Sequence, residues 1–445
     1  MKEVRFLTKS LLIVIIGISL HAQSNTNVSL GFEDKVNNWL AENNVPAVGI
    51  GIIEDGEIQY LKVFGELQKG IPAPDNAIFE IASMTKPVVA MLTLKLVETG
   101  QWKLDEPLFH YWTDPDVEND PLHKKLTTRH VLSHQTGFPN WRRGKLAFEF
   151  EPGTDFLYSG EGFVYLANAL ERKFKKSWGQ LADSLLFKPI GMNDTWYYWG
   201  ENMDESRFAF GHDTKGNMYP QSKMKGAKAS SAAGGLLTTI EDFCKFSIDV
   251  MNGAGLSPDI YNDMISPHAK IKDHCAKGLG WEIISDLPSG EYALEHGGNN
   301  PGFRSRGIIL PKSKRGVIVF TNSDNGGIVC VHVMKESIDI AKDIFDYMRG
   351  AARKRIALSD EILERYTGAY LVDPNGLNLS ITKGDGVLII SGDSRIPATT
   401  LYPEAENKFF IKEADAQIEF GNDSSFTLFE NGKIEWTAKK NKVKK

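Results

Sequence analysis

Cysteine is scarce: Cys244, Cys275 and Cys330 are the three in 445 residues. An odd count cannot pair completely within one chain, and none is spaced as a redox pair or a metal site. A disulfide scaffold is therefore excluded, and buried free thiols are expected. A block of one charge is also missing. With 51 Lys and Arg against 57 Asp and Glu, the chain is slightly acidic and offers nucleic acid no basic footprint. The lysine-rich end from Lys439 to Lys445 reads as a frayed, solvated tail. No apolar run stands out as a membrane span. Leu11 to Leu20 is apolar but shorter than the ~20 residues that cross a bilayer. It follows Lys2, Arg5 and Lys9 and precedes Ala22, the pattern of a cleavable secretory signal. No cysteine lies near it, so a lipid-anchored lipoprotein is not expected. Residues 1–22 are read as that signal, with a periplasmic or secreted product whose only membrane contact is export.

Several chemical signatures are absent as well. There is no Gly-x-Ser-x-Gly elbow, so His296-Gly297-Gly298 is not a lipase oxyanion segment. His130 and His134 are four apart, but Val131 stands where a metalloprotease helix needs glutamate. Asp114, Asp116, Glu118 and Asp120 alternate like a calcium loop. The glycine at its sixth place is missing and Lys125 holds the twelfth, so a solvated acidic loop is expected. No metal or organic cofactor is implied.

Ser83-Met84-Thr85-Lys86 is the most informative segment present. It follows the apolar stretch Ile78 to Ala82 and opens a helical pattern through Leu92, Leu96 and Val97 to Gly100. A hydroxyl and an amine three apart on a helix share one face. Serine is a poor nucleophile until a base takes its proton, and a neutral lysine can be that base. Lys86 falls in the first turn, where the helix dipole disfavours a cation. Lowering its pKa from about 10.4 to roughly 7–8 takes on the order of 3–5 kcal/mol, most of it from burial. Pro87 suits the same turn. The plain alternative is a capping serine and an exposed lysine.

Ser-x-x-Lys occurs twice more. Ser222 and Lys225 lie in a stretch without periodicity, read as a loop. Ser380 and Lys383 lie among alternating Leu377, Leu379 and Ile381, a strand on which positions three apart face opposite ways.

Around Ser83 the chain divides into regions. Phe32 to Leu40 has helical spacing. Val48 to Ile53 and Ile58 to Phe64 flank Asp55-Gly56 as a hairpin. Helical segments run to about residue 250. Strands return at Tyr292–His296, Ser305–Leu310 and Gly316–Thr321, and Val329–Met348 reads as one long helix. These give an α+β fold over 23–352: an antiparallel sheet flanked by terminal helices, with a helical subdomain. From Tyr366 short alternating segments recur, with turns at Gly384-Asp385-Gly386 and Asn431-Gly432. They predict a barrel-like all-β domain over 353–445.

Ser83 and Lys86 need a second proton-transfer group and donors for an oxyanion. Tyr158-Ser159-Gly160 offers a phenol whose proton a nearby lysine would loosen. His296-Gly297-Gly298 ends a predicted strand, where glycines would let a substrate approach the edge.

These three motifs, in this order, resemble the serine β-lactamase and penicillin-binding protein superfamily, in particular its class C-like branch of D-peptidases and family VIII esterases. Leu132 to Gly137, Pro189 to Met192, Ala233 to Leu236 and Gly278 to Trp281 match it too, so the resemblance spans roughly residues 30–350. A weaker one, resting on Tyr366 to Tyr370, links the C-terminal domain to lipocalin-like modules. The resemblance implies Ser83 as the acylated nucleophile and Lys86 as its base, hydrogen-bonded to Tyr158. It places His296, Gly297 and Gly298 beside the substrate. The N–H groups of Ser83 and Asn299 would form the oxyanion hole.

Two positions depart from the pattern. Gly160 stands where many members have an asparagine, with polar Glu161 next to it. His296 replaces a lysine, with Arg304 or Arg306 nearby to compensate. Both departures tilt the substrate towards esters or small acyl substrates. The expected function is an exported serine hydrolase acting on esters, D-amino-acid amides or peptides, or β-lactams. The alternative is a penicillin-binding or cell-wall-sensing protein without turnover, whose β domain holds a ligand. The aromatic run Trp196 to Trp199 lines a cleft or packs internally. A small-molecule or peptide substrate is the only partner implied; the oligomeric state is not legible.

Overall fold

Val48 to Ile53 are apolar or glycine at every position, and such a strand needs cover on both faces. The computed structural model describes residues 31–441, apart from 198, 200–202, 221–231, 350–354, 374–375, 393–397, 412–415, 422–423 and 431–432. The secretory signal, the Ser222–Lys225 pair, the Asn431-Gly432 turn and the last lysines of the tail lie outside the described residues.

Helix α1 (Phe32–Asn43) leads into β1 (Ala47–Glu54), β2 (Glu57–Gln68) and β3 (Ile71–Pro72). The β1–β2 turn has positive φ at Asp55 (53°) and Gly56 (77°), the geometry that matches strand twist. Next come β4 (Phe79–Glu80), a 3₁₀ turn at Ala82–Met84, and α2 (Thr85–Glu98). The helical region continues with α3 (Thr128–Leu132), α4 (Gly160–Phe174), α5 (Trp178–Ala182) and α6 (Lys188–Ile190). After β5 (Leu237–Thr238) it closes with α7 (Ile240–Met251) and α8 (Pro258–Met264). Strands then resume as β6 (Ala269–Lys272), β7 (Cys275–Lys277), β8 (Glu282–Ile284), β9 (Ala293–Asn300), β10 (Phe303–Leu310) and β11 (Arg315–Thr321). Helices α9 (Gly326–Ser337) and α10 (Ala341–Arg349) follow.

The nine strands form one antiparallel sheet in the order β3-β2-β1-β11-β10-β9-β8-β7-β6, with β4 and β5 pairing apart. One face of β1 presents Val48, Ile50 and Ile52 to the core that holds α1, α9 and α10. The other face presents Gly49 and Gly51, where α7 approaches closely. A Cβ on Gly51 would lie 2.3 Å from Cys244 Sγ. The three cysteines are buried and free. The edge strands β6–β8 were not foreseen: at three or four residues each, they are too short to show a period. The single helix expected over Val329–Met348 is two. Ile338 turns extended, and the Asp339 carboxylate accepts the Ile340 N–H and pairs with Arg315.

Beyond α11 (Asp360–Arg365), strands β12 (Gly368–Asp373), β13 (Asn378–Lys383), β14 (Leu388–Ser391) and β15 (Thr399–Pro403) begin a closed barrel. It is completed by β16 (Lys408–Ile411), β17 (Ala416–Phe420), β18 (Ser425–Glu430) and β19 (Lys433–Lys440). Tyr370, Leu379, Ile381, Leu401, Phe409, Ile418, Phe420 and Phe426 fill its interior. Small barrels fill their interiors with side chains in this way. Lys439 and Lys440, expected in a frayed tail, pair with β12 and complete the closure. On β13, Ser380 stays exposed and Lys383 pairs with Asp360 at 2.9 Å.

Candidate active site

Serine 83 sits in the 3₁₀ turn between β4 and α2, at the foot of the sheet. The residue before it, Ala82, has φ 47°, a left-handed conformation that costs alanine on the order of 1 kcal/mol. Neighbours hold it there. Thr85 Oγ1 donates to the Ala82 carbonyl at 2.6 Å, and Ser305 Oγ on β10 donates to the Ile81 carbonyl at 2.7 Å. The turn is thus tied to its own helix and to the sheet.

Helix α2 is buried nearly all round, so its first turn carries Lys86 to a place water does not reach. Lys86 Nζ lies 3.0 Å from Ser83 Oγ and donates to the Ala233 carbonyl at 2.6 Å. Burial, with a contribution from the Lys277 ammonium, brings its pKa down to about 7. The Ala233-Gly234-Gly235-Leu236 segment thereby gains a physical role. It supplies the lysine's second partner, and the Leu236 N–H donates to Thr85 Oγ1 at 3.1 Å. Gly280, at φ 86°, lets the Gly278–Trp281 segment lie on α2, where a Cβ would be 2.2 Å from Ala90 Cβ.

Tyr158 precedes α4 and contacts Ser83. Its ring has Lys86 Nζ at 4.9 Å and Lys277 Nζ at 5.8 Å from its centroid, and His134 stacks on it at 4.3 Å. His134 also accepts the Ser159 N–H on Nδ1 at 3.0 Å, and its carbonyl accepts the Leu157 N–H at 2.9 Å. Two expectations are corrected here. The phenol is not loosened: burial, and the negative Glu295 and Glu282, push its pKa up, outweighing the contact with Ser83. Nor do the hydrogen bonds of Lys86 go to Tyr158; they go to Ser83 and Ala233. His130 and His134, four apart in sequence, diverge: His134 stacks on Tyr158, while His130 lies against Gly153.

His296, Gly297, Gly298 and Asn299 lie on the part of β9 beyond its pairing with β8, which ends at Glu295. The His296 Nδ1–H donates to the Gly297 carbonyl at 2.7 Å, and Nε2 is buried without a partner. Burial and the lysines 277 and 86 hold its pKa well below the usual value, so the ring is neutral and Nε2 is an acceptor. The glycines have a different job from the one expected. A Cβ on Gly298 would lie 2.2 Å from the Ile81 carbonyl, and one on Gly297 would face Arg306 and Glu295 on the opposite side. Gly298 seats the nucleophile turn on the strand. Gly298→Ala is expected to lower kcat/KM about 100-fold by displacing Ser83, with ester hydrolysis and a melting curve separating that from unfolding.

The residues thought to compensate are engaged elsewhere. Arg304 pairs with Asp324 at 3.0 Å and donates to the carbonyls of Asn300 and Phe303. Arg306 pairs with Glu295 at 3.3 Å and covers Phe345. Glu161 is clamped by Arg142, with Nη2 at 2.8 Å. Asp114 and Asp116 of the expected solvated acidic loop are bound by the same guanidinium, and Asp114 is buried.

Sequence reasoning missed Lys277. Its Nζ lies 2.9 Å from Glu282 on the adjacent strand, both largely buried. The signal was Lys277 itself, a charge directly before Gly278-Leu279-Gly280-Trp281, a segment read only as part of the family resemblance.

The described residues hold no group of three or more His, Cys, Asp or Glu placed to bind a metal ion. What the arrangement can do is move a proton. An amine whose pKa is brought down to about 7 faces a hydroxyl, a protonated phenol adjoins it, and a strand edge lies alongside.

Residues 32–331 match the Beta-lactamase family model. Penicillin-binding protein 4* of Bacillus subtilis (strain 168) is 24% identical over 429 residues, covering 86% of this chain and 92% of that protein. Protein flp of Staphylococcus aureus (strain MW2) is 21% identical over 64% of this chain, which spans only 61% of that protein's length. Two solved structures share the fold. One, the octameric penicillin-binding protein homologue from Pyrococcus abyssi, superposes with a TM-score of 0.62 at 22% identity, over 91% of this chain and 98% of that one. The other, D-alanine carboxypeptidase AmpC from Burkholderia cenocepacia, gives a TM-score of 0.56 at 19% identity, over 68% and 98%.

Proposed function

This chain belongs to the Beta-lactamase family, and on that premise we propose that it is an exported serine hydrolase working through an acyl-enzyme on Ser83. The observation that carries the proposal is the fully buried Lys86 with its amine 3.0 Å from Ser83 Oγ. With a pKa of about 7, much of the amine is neutral at physiological pH, and in that form it can accept the Ser83 proton across this 3.0 Å contact.

Oγ attacks the substrate carbonyl carbon as Lys86 takes the hydroxyl proton. The resulting oxyanion is held by the N–H groups of Ser83 and Asn299. The bond to the leaving group breaks, and Tyr158, kept protonated by its surroundings, gives that group its proton. Lys86 returns a proton to the phenol. Water then attacks the acyl carbon, its proton passing to Lys86; as the acyl–Oγ bond breaks, Lys86 gives that proton to Ser83 Oγ, and the acid leaves with both groups restored.

Esters are the substrate class best supported. A substrate carboxylate beside β9 would need a free cation. His296 is neutral, and Arg304, Arg306 and Lys277 are each paired with a carboxylate. D-peptides and β-lactams, suggested by the relatives' names, fit less well on that count. The packed barrel interior speaks against the reading in which the β domain holds a ligand within it.

Incubation with a p-nitrophenyl ester and, separately, a fluorescent penicillin tests the proposal. Intact-mass analysis after quenching should find the acyl adduct on the peptide bearing Ser83, with multiple turnovers of the ester. Turnover with the adduct on another residue would sink the assignment. A stable penicillin adduct without turnover of any ester would favour a penicillin-binding role.

A further inference from the structure

Gly160 closes the Tyr158-Ser159-Gly160 segment, and something else occupies the space where its side chain would be. A Cβ there would lie 2.9 Å from both Cη2 and Cζ2 of Trp141 and 3.0 Å from the Asn140 carbonyl. The indole therefore rests directly on the backbone two residues beyond the phenol that meets Ser83. Trp141 is also unusual in its exposure. It is 52% exposed, the only tryptophan among the described residues that is mostly in water, while Trp102, Trp178 and Trp281 are buried.

The ring is exposed but not loosely held. On one side of it, the Asn140 carbonyl accepts the N–H groups of Gly160 and Glu161 at 3.0 and 3.1 Å. On the other, Arg142 binds Glu161 through Nε and its own N–H, Asp114 through Nη2 and Asp116 through Nη1. Ser159 Oγ donates to the Pro139 carbonyl at 2.9 Å, extending the same zipper. Segment 139–142 is fixed to the start of α4 before any ligand arrives, so no ordering cost is left for binding. A large apolar face kept in water on a rigid support beside a nucleophile is a platform for a ligand rather than a piece of core.

We propose that Trp141, lying over Gly160, is a specificity-determining residue that stacks on an aromatic or extended apolar group of the substrate. Such a group can sit on the acyl side or the leaving side of the scissile bond; the shared chemistry is a flat apolar surface. The inference rests on Ser83 being the nucleophile, and it narrows the substrate to esters with a sizeable hydrophobic part.

The test compares kcat/KM in two ester series, p-nitrophenyl acetate against p-nitrophenyl phenylacetate, and methyl butyrate against benzyl butyrate. Trp141→Ala is expected to reduce the preference for the aromatic member roughly tenfold or more in one series, and the series affected identifies the side. Turnover of the small member should change little, and Trp141→Phe should keep the preference. Gly160→Asn should lower turnover of the aromatic member by pushing the indole aside. Labelling of Ser83 by a fluorophosphonate probe reports whether each variant retains its machinery. Unchanged preferences in both series, with Ser83 still labelled in Trp141→Ala, overturn this inference alone. Absence of Ser83 labelling in the wild-type protein overturns the functional reading beneath it.

Discussion

Lys86→Met is expected to lower kcat/KM for an ester by about 1,000- to 10,000-fold, the size of a general-base contribution, and at the same time to make the protein more stable. The two effects have one cause. Lys86 is 0% exposed and its pKa falls from 10.5 to about 7 through burial. The unfolded chain therefore binds a proton between about pH 7 and 10.5 that the folded protein does not. Stability falls as the pH drops through that window, and the penalty is fully present below it. Methionine has no proton to give up and fills a similar volume. After allowance for the hydrogen bonds lost at Ser83 and Ala233, the variant should gain on the order of 2 kcal/mol at pH 7. Urea unfolding reads the gain, and ester kinetics read the loss. A lysine that merely held α2 in place would give a loss of both. Ser83→Ala should match Lys86→Met in activity, because a nucleophile and its base act as one unit.

The site was legible in the sequence to the extent that it depends on spacing. Ser83 and Lys86 lie one helical turn apart on a segment whose apolar period was plain, and β9, β10 and β11 alternated clearly enough to be placed. Sequence could not give the direction of the electrostatics. The proximity of Tyr158 to a lysine suggested an easily lost proton. Its pKa is instead set by burial and by Glu282 and Glu295, whose place behind the site follows from the register of β7, β8 and β9. The same holds for the arginines. Arg304 and Arg306 were close to His296 in sequence, but each pairs with a carboxylate remote in sequence or across the strand pair. Gly298 was expected to admit substrate, yet the atom it admits is the Ile81 carbonyl, a contact that exists only once the 3₁₀ turn docks on the sheet. Pattern reveals which residues share an element; charge pairing and close approach between elements appear only with tertiary register.

Activity should fall about tenfold per pH unit below 7, reaching about 100-fold at pH 5, as Lys86 gains the proton that disables it. Other groups face the same space and must be separated. Burial and the lysines 277 and 86 hold His134 and His296 well below their usual pKa, which moves their protonation away from a limb near pH 7. Tyr158 stays protonated. Glu295, buried beside Arg306, has its pKa pushed up to about 7, and burial also raises that of Glu80 beside Asn300; of the two, Glu295 competes for the acidic limb near pH 7. Glu295→Gln should leave a limb near pH 7 if Lys86 is the base. The sign at Lys277 then gives the sharper test. Its ammonium lies 5.8 Å from the Tyr158 ring that Lys86 also approaches, and it helps to hold Lys86 neutral. Lys277→Met removes that repulsion, so the limb should move to higher pH and activity at pH 7 should drop. Lys277→Arg should restore the original profile. Glu282→Gln unpairs the cation and should shift the limb the other way. A purely structural role for the Lys277–Glu282 pair would scale rates at every pH and leave the midpoint in place. Opposite displacements from removing the two opposite charges can arise only if the pair acts on the base through its field.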